Sequence, residues 1–294
     1  MNPTDDKNSL FHPLFDFIEK REPLFRIHGL KGSSAAYVFS QVALRVRCPL
    51  IVLTADEEKA ERFFQEILFF ISPARRALLF PSWDLKPFEK ISPPSEVMGQ
   101  RWKVMHQLIS DSASEIVVAS LNAVLQRVPP REVLRRWAFS ISQGQEFQRE
   151  ELVARLEGMG YSRVSLVTEV GEFAVRGHLV DVFSPSAPAP LRVEFSGDNV
   201  ESVRAFDPDT QRSLEALDLV RVLPVREVLF FPEFIQQATQ RLAASLPADP
   251  ALRESAEEIL EKIRQGIPFP AVESYQPFFF LCWRLSSIIF PRKQ

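Results

Sequence analysis

The chain has 294 residues, enough to bury a sizeable core and to divide into about two domains. Its hydrophobic fraction of 46% and charged fraction of 25% are those of a soluble globular protein, and a net charge of −3 speaks against a generally basic nucleic-acid surface. Cys48 and Cys282 lack any CxxC or Cys/His spacing, the start MNPTDDKNSL is too polar for a signal peptide, and the apolar run 277–290 is too short for a membrane span, so the chain reads as cytoplasmic, without disulfides, zinc or a membrane.

The first half alternates helix and strand patterns. Residues 10–20 form an amphipathic helix pattern, 24–28 a short apolar strand, 29–32 a loop and 33–47 a helix. Leu50 to Leu53 reads as a buried strand, and Asp56 caps a helix running to about Phe70. A third strand at 77–80, a helix at 96–109 and a fourth strand at 115–119 complete an α/β pattern with a parallel sheet covered on both faces. Val128-Pro129-Pro130 marks a linker, and a second pattern starts near Phe139 with a helix at 147–158. A β-rich stretch follows, closed by a strand at 217–223. Two helices at 232–246 and 251–265, split by the breaker Pro247-Ala248-Asp249-Pro250, end the pattern.

Two loops bear on chemistry. Gly29-Leu30-Lys31-Gly32-Ser33-Ser34-Ala35-Ala36, after a strand pattern and opening a helix, has the context of a phosphate-binding loop. Aligned on Gly29 and Gly32, the positions that need a Lys for the β- and γ-phosphates and a hydroxyl for magnesium are Ala35 and Ala36, and the third glycine is Ser34. The loop is therefore a tight strand-to-helix turn or, as the alternative, a weak anion site at a helix N-terminus. No acidic pair follows an apolar strand, so ATP hydrolysis is not expected. The second loop, 80–94, carries Trp83 and Phe88; these either stack on nucleic-acid bases or pin the loop to the core, and an equal number of acids and lysines favours pinning.

The most informative segment runs from Gly171 to Leu214. Leu191, Val193 and Phe195 alternate with Arg192 and Glu194, and Ser196-Gly197-Asp198-Asn199 is turn chemistry, so 191–195 and 200–206 form a hairpin. Arg192 then points away from the core face, and Arg176 sits just before Gly177, where the preceding strand pattern bends. Two such arginines offer planar, multidentate contact to carboxylates; the alternative is ordinary ion pairing with Glu172, Glu194 or Asp181. His178 falls in the strand pattern and reads as a partly buried structural residue, and Arg212 is expected to tie down the turn at Asp207. His12, His28, His106 and His178 have no metal-ligand spacing, and no nucleophilic triad is local in the sequence.

The run Arg176-Gly177, Asp181, Phe183, then Arg192 to Phe195, Asp198, Glu201-Ser202, Arg204, Phe206-Asp207 and Arg212-Ser213-Leu214 resembles the small second domain of the UvrB-like module in the transcription-repair coupling factor (Mfd) family. More distantly it resembles UvrB itself. The resemblance extends from about Gly29 to Phe280, and loop 80–94 fits the Mfd pattern without the tyrosine-rich insertion by which UvrB clamps DNA. It implies an α/β fold: a degenerate P-loop (helicase-like) parallel-sheet domain over 1–127, an inserted small α+β domain with a hairpin-rich sheet over 128–224, and a helical return segment over 225–294, truncated at its end.

The resemblance also implies a function. In the family the small domain docks UvrA, and Arg176 and Arg192 match arginines implicated in that contact. Phe195 belongs to the same patch, and Ser196 stands where the family often has a second aromatic. The module implied is a non-catalytic adaptor without cofactor or metal that recruits nucleotide excision repair to stalled transcription. RNA polymerase and double-stranded DNA are partners of domains that complete members carry further on, including a translocase motor. The chain itself is a fragment or a naturally shortened protein, with an apolar end at Phe278, Phe279, Phe280, Trp283, Ile288 and Ile289. A UvrB-like nucleotide-dependent enzyme and a non-catalytic DNA-binding module remain as alternatives.

Overall fold

Apolar strands followed by amphipathic helices fold into a small sheet with helices laid on it. The computed structural model describes residues 11–20, 23–46, 48–73, 75–83, 85, 89–110, 115–280 and 283–285. Phe88, Cys282, Ile288 and Ile289 lie outside these residues. The chain divides into two compact units, Met1–Leu79 with Asp111–Leu121, and Phe80–Ser110 with Asn122–Gln294.

In the first unit, α1 (His12–Lys20) and α2 (Ser34–Arg45) precede β1 (Leu50–Thr54), α3 (Glu57–Phe70) and β2 (Arg76–Phe80). The chain returns as β3 (Glu115–Ser120), which pairs in parallel with β1, and the sheet order is β1-β3-β2. The central strand carries Ile116, Val117, Val118 and Ala119, all fully buried, which is why it reads as an unbroken apolar run. Asp56 starts α3 by accepting the Lys59 amide at 2.9 Å, a cap that contributes about 1 kcal/mol. Ala36, Ala60, Ile67 and Val118 form the core, with Phe39, Phe63 and Phe64 packed around them.

The expected strand at 24–28 is not formed. These residues form no regular element and pair with no strand among the described residues, and Leu24 and Ile27 are 65% and 43% exposed. Apolar alternation marks a strand only where a neighbouring ladder is available to satisfy its amides, and here β1 and β2 are the strands that join β3.

The second unit opens with α4 (Ser95–Ser110). After α5 (Leu121–Leu125) come β4 (Arg127–Val128), α6 (Arg131–Trp137), β5 (Phe139–Ser142) and α7 (Arg149–Gly158). Of the linker expected at Val128-Pro129-Pro130, Val128 ends β4 and the two prolines lead straight into α6: Pro130 precedes its first turn, where a proline costs no hydrogen bond, and Leu134 and Trp137 anchor it, Trp137 stacking on Phe231 at 3.6 Å.

The strands that follow are β6 (Ser162–Arg163), β7 (Glu172–Arg176), β8 (Leu179–Val182), β9 (Leu191–Ser196), β10 (Asn199–Phe206) and β11 (Ser213–Ala216). They form a six-stranded sheet ordered β11-β10-β9-β8-β7-β6, antiparallel except for the β6–β7 pair. β12 (Leu219–Val222) then pairs antiparallel with β5, bringing the two ends of this β-rich excursion side by side. Helices α8 (Pro232–Ala243), α9 (Pro250–Arg264) and α10 (Gln276–Phe279) follow, and β13 (Trp283–Arg284) pairs with β4.

One buried ion pair organises the unit. Arg101 and Glu227, both fully buried, are in direct contact. Arg101 also donates to the Pro81 carbonyl at 2.8 Å and to Gln126 Oε1 at 3.0 Å, and its guanidinium lies 4.3 Å from the Phe80 ring centroid and 5.3 Å from that of Trp83. Trp83 donates its amide to the same Gln126 oxygen at 3.1 Å. The start of the 80–94 loop is therefore pinned through Arg101, the structural of the two readings open for Trp83.

Candidate functional site

Strand register decides what the six-stranded sheet presents. Phe173, Val180, Val182, Leu191, Val193, Phe195, Val203 and Ala205 are buried on one face. On the other, Ala174, Asp181, Arg192, Arg204 and Ala216 stand in one row across five strands, each directly opposite the next. The adjacent row holds Arg176, Leu179, Glu194 and Ser202. The two arginines singled out in the sequence therefore share a face, as alternation requires.

Each arginine is held differently. Arg192 donates from Nε to Asp181 Oδ1 at 2.7 Å and from Nη2 to Oδ2 at 2.9 Å, a two-pronged pair in which the Asp181 side chain is 1% exposed. This is one of the ion pairs open in the sequence. The hydrogen bonds it donates to Asp181 hold the pKa of the Arg192 guanidinium above its ordinary range. The same guanidinium lies 4.6 Å from the centroid of the buried Phe206 ring. Arg176 is exposed and donates to the Ser165 carbonyl at 2.6 Å, not to Glu172. Glu172 instead accepts the amides of Thr168 and Glu169 at 2.8 and 2.9 Å. These bonds strap the 164–169 loop over Ala174, where Val167 and Phe206 close a small second core.

Phe195 and Ser196 separate. Phe195 is 5% exposed and belongs to the buried face, so it supports the sheet from behind. Ser196 is exposed beside the turn, where Gly197 takes φ 60° at the first position of a two-residue hairpin loop. His178 is not a partly buried strand residue: Gly177, at φ 59°, ends the strand, and His178 turns out to solvent with Nε2 3.3 Å from Glu194 Oε1. The 207–212 turn is organised by Asp207, which accepts the amides of Asp209 and Thr210 at 3.1 and 2.7 Å; Arg212 contributes its carbonyl, accepting the Asp207 amide at 3.0 Å. Arg204, which the sequence reading did not place on this face, alternates with buried neighbours as Arg192 and Glu194 do.

The glycine loop has a different character. Gly29 and Gly32 take φ 79° and 54°, and a Cβ at either would meet nothing within 4 Å, so backbone conformation rather than space calls for glycine. Ser34 and Ala35 begin α2 half-buried, and Ala36 is fully buried in the core of the first unit. The position aligned with the magnesium-binding hydroxyl thus faces packed side chains. Among the described residues no cluster of His, Cys, Asp and Glu is arranged to hold a metal, and no helix is long and apolar enough to cross a membrane.

Residues 139–228 match the family described as the UvrB interaction domain. The match opens on β5, whose pairing with β12 brings the ends of the excursion together, and closes just after Glu227, whose contact with Arg101 ties it to the rest of its unit. Across 87% of its length the chain is 36% identical to the transcription-repair-coupling factor of Myxococcus xanthus, covering 22% of that protein. Against that of Escherichia coli (strain K12), the figures are 30% identity over 85% of the chain and 21% of the relative. Over most of its length the chain is thus similar to transcription-repair-coupling factors, and its residues 139–228 match the UvrB interaction domain. It spans about a fifth of the length of these relatives. The sheet face bearing Arg176 and Arg192 lies wholly within the matched domain.

Proposed function

We propose that this chain is a non-catalytic adaptor that binds UvrA through the open face of the six-stranded sheet and so recruits nucleotide excision repair to stalled transcription. One observation carries the reading: within the segment that matches the UvrB interaction domain, Arg176 and Arg192 stand on one face of a sheet whose opposite face is buried. Arginines on a rigid backbone suit a protein interface, since little entropy is lost when a partner's carboxylates are gripped. Asp181 and the Phe206 ring orient Arg192, and Ser165 orients Arg176. In this reading Phe195 acts from the buried side and Ser196 contributes a small polar rim.

The absence of catalysis is part of the proposal. The loop at Gly29 and Gly32 serves as a turn, with alanines at 35 and 36 where phosphate chemistry needs a lysine and a hydroxyl. RNA polymerase and double-stranded DNA would be engaged by other parts of the longer proteins to which this module is related.

The test is calorimetry of the chain with purified UvrA at physiological salt. The wild type is expected to bind, and Arg176→Ala, which costs the fold a single exposed hydrogen bond, is expected to bind at least tenfold more weakly with an unchanged melting temperature. Failure of the wild type to bind would overturn the adaptor reading.

A further inference from the structure

The row across the sheet runs from buried Ala174 through Asp181 and Arg192 to exposed Arg204. Arg204 stands directly opposite Arg192 on β9 and Ala216 on β11. Like charges facing each other across an antiparallel pair work against the sheet. Asp181 offsets much of this through its pair with Arg192, but both its oxygens are engaged there and neither bonds Arg204. Among the described residues Arg204 has neither an ion pair nor a side-chain hydrogen bond, whereas Arg176 and Arg192 each have one or more. Its backbone is nevertheless fixed: the flanking Val203 and Ala205 are 1% and 5% exposed, and strands pair on both sides of β10. A guanidinium with all five donors uncommitted is thus mounted on an interior strand, on the same face as Arg176 and Arg192.

We infer that Arg204 is a third docking residue of this face, and that it receives a carboxylate of the UvrA surface. The inference rests on the reading that the chain binds UvrA here. Arg176 on β7 and Arg204 on β10 are three strand spacings apart, about 14 Å, with Arg192 between them. The matching surface on UvrA is therefore an acidic strip of that span, whose carboxylate replaces the one the sheet withholds from Arg204. A residue that served only the fold would stabilise it. Among the described residues Arg204 makes no ion pair or side-chain hydrogen bond that would do so, as expected of a residue kept for function rather than stability.

The experiment compares wild type, Arg204→Ala, Arg204→Glu and Arg253→Ala by calorimetry with purified UvrA and by thermal melting. Arg253, on α9, pairs with Glu257 at 3.0 Å and controls for loss of one positive charge elsewhere. The expected result is binding at least tenfold weaker for Arg204→Ala and weaker still for Arg204→Glu, Arg253→Ala within twofold of wild type, and a melting temperature for Arg204→Ala equal to or above wild type. Wild-type binding that Arg204→Ala leaves within twofold would overturn this inference and leave the adaptor reading standing. Equal weakening by Arg204→Ala and Arg253→Ala would reduce the effect to net charge and also overturn it. No binding by the wild type would overturn both.

Discussion

Arg192 grips both oxygens of Asp181, at 2.7 and 2.9 Å, across adjacent strands of the six-stranded sheet, and the Asp181 side chain is almost wholly buried. One residue therefore serves two purposes, neutralising a buried carboxylate and presenting a guanidinium edge. Arg192→Ala would strand that carboxylate, so the variant is expected to lose about 2–4 kcal/mol of stability. Asp181→Ala/Arg192→Ala should recover part of the loss, since it leaves no unpaired charge. Urea melts of the two variants check this. Equal stability of Arg192→Ala and wild type would mean that Asp181 finds another partner. The consequence for binding studies is direct: loss of UvrA binding by Arg192→Ala is informative only beside the double variant.

Arg101 and Glu227 make a second, deeper pair, and Arg101 also holds the Pro81 carbonyl, Gln126 and the rings of Phe80 and Trp83. Arg101→Met is expected to cost about 3–5 kcal/mol and to free the start of the 80–94 loop, because Glu227 is left buried without its countercharge. Hydrogen exchange would then rise at the Trp83 amide, which Gln126 accepts in the wild type. An unchanged exchange rate there would show that the loop is held by other contacts.

His106 introduces a pH dependence. Burial and the neighbouring Arg221 lower its pKa from the ordinary 6.5 to about 4. Because the unfolded chain takes up the proton first, the stability His106 contributes is fully present above pH 6.5 and is lost as pH falls from 6.5 to about 4. The ring is only partly buried, so screening limits the effect to about 1–2 kcal/mol. Glu273 acts in the opposite sense: burial raises its pKa, so its protonation favours the folded state as pH falls. Comparing stability at pH 7 and pH 5 for wild type and His106→Gln isolates the histidine. The variant should lose less between the two, and identical losses would exclude His106 as the source.

Rebuilding a phosphate loop should not restore nucleotide binding. Ala36 is fully buried among Ala60, Ile67 and Val118, so a threonine there would be overpacked by about 1–3 kcal/mol. The triple variant Ser34→Gly, Ala35→Lys, Ala36→Thr is expected to melt earlier than wild type and to bind ATP no better, by fluorescent-nucleotide titration. Micromolar binding by that variant would show that the loop keeps a phosphate-ready geometry.

Much of this protein is determined by periodicity in its sequence. The unbroken apolar runs gave β1 and β3 as strands, although β1, expected to be buried, is only partly so, with Leu53 55% exposed; Asp56 before an amphipathic stretch gave α3, and Ser196-Gly197-Asp198-Asn199 between alternating runs gave the β9–β10 hairpin. Alternation also placed Arg192 on the face opposite Val193 and Leu191. These features are local, because side-chain period and turn chemistry are properties of a few consecutive residues.

Tertiary structure decided the rest. Alternation set Phe195 on the face of Leu191 and Val193, whereas the resemblance drew it into the docking patch; the structure buries it and exposes Ser196 one position later at the turn. Alternation could not choose Asp181 over Glu194 as the partner of Arg192, nor set Arg204 opposite Arg192, because both follow from strand register. Nor could it deny residues 24–28 a strand, which depends on neighbours elsewhere in the chain. Arg101 and Glu227 meet across 126 positions of sequence, a separation at which no local pattern carries information and only packing of the whole unit selects the contact.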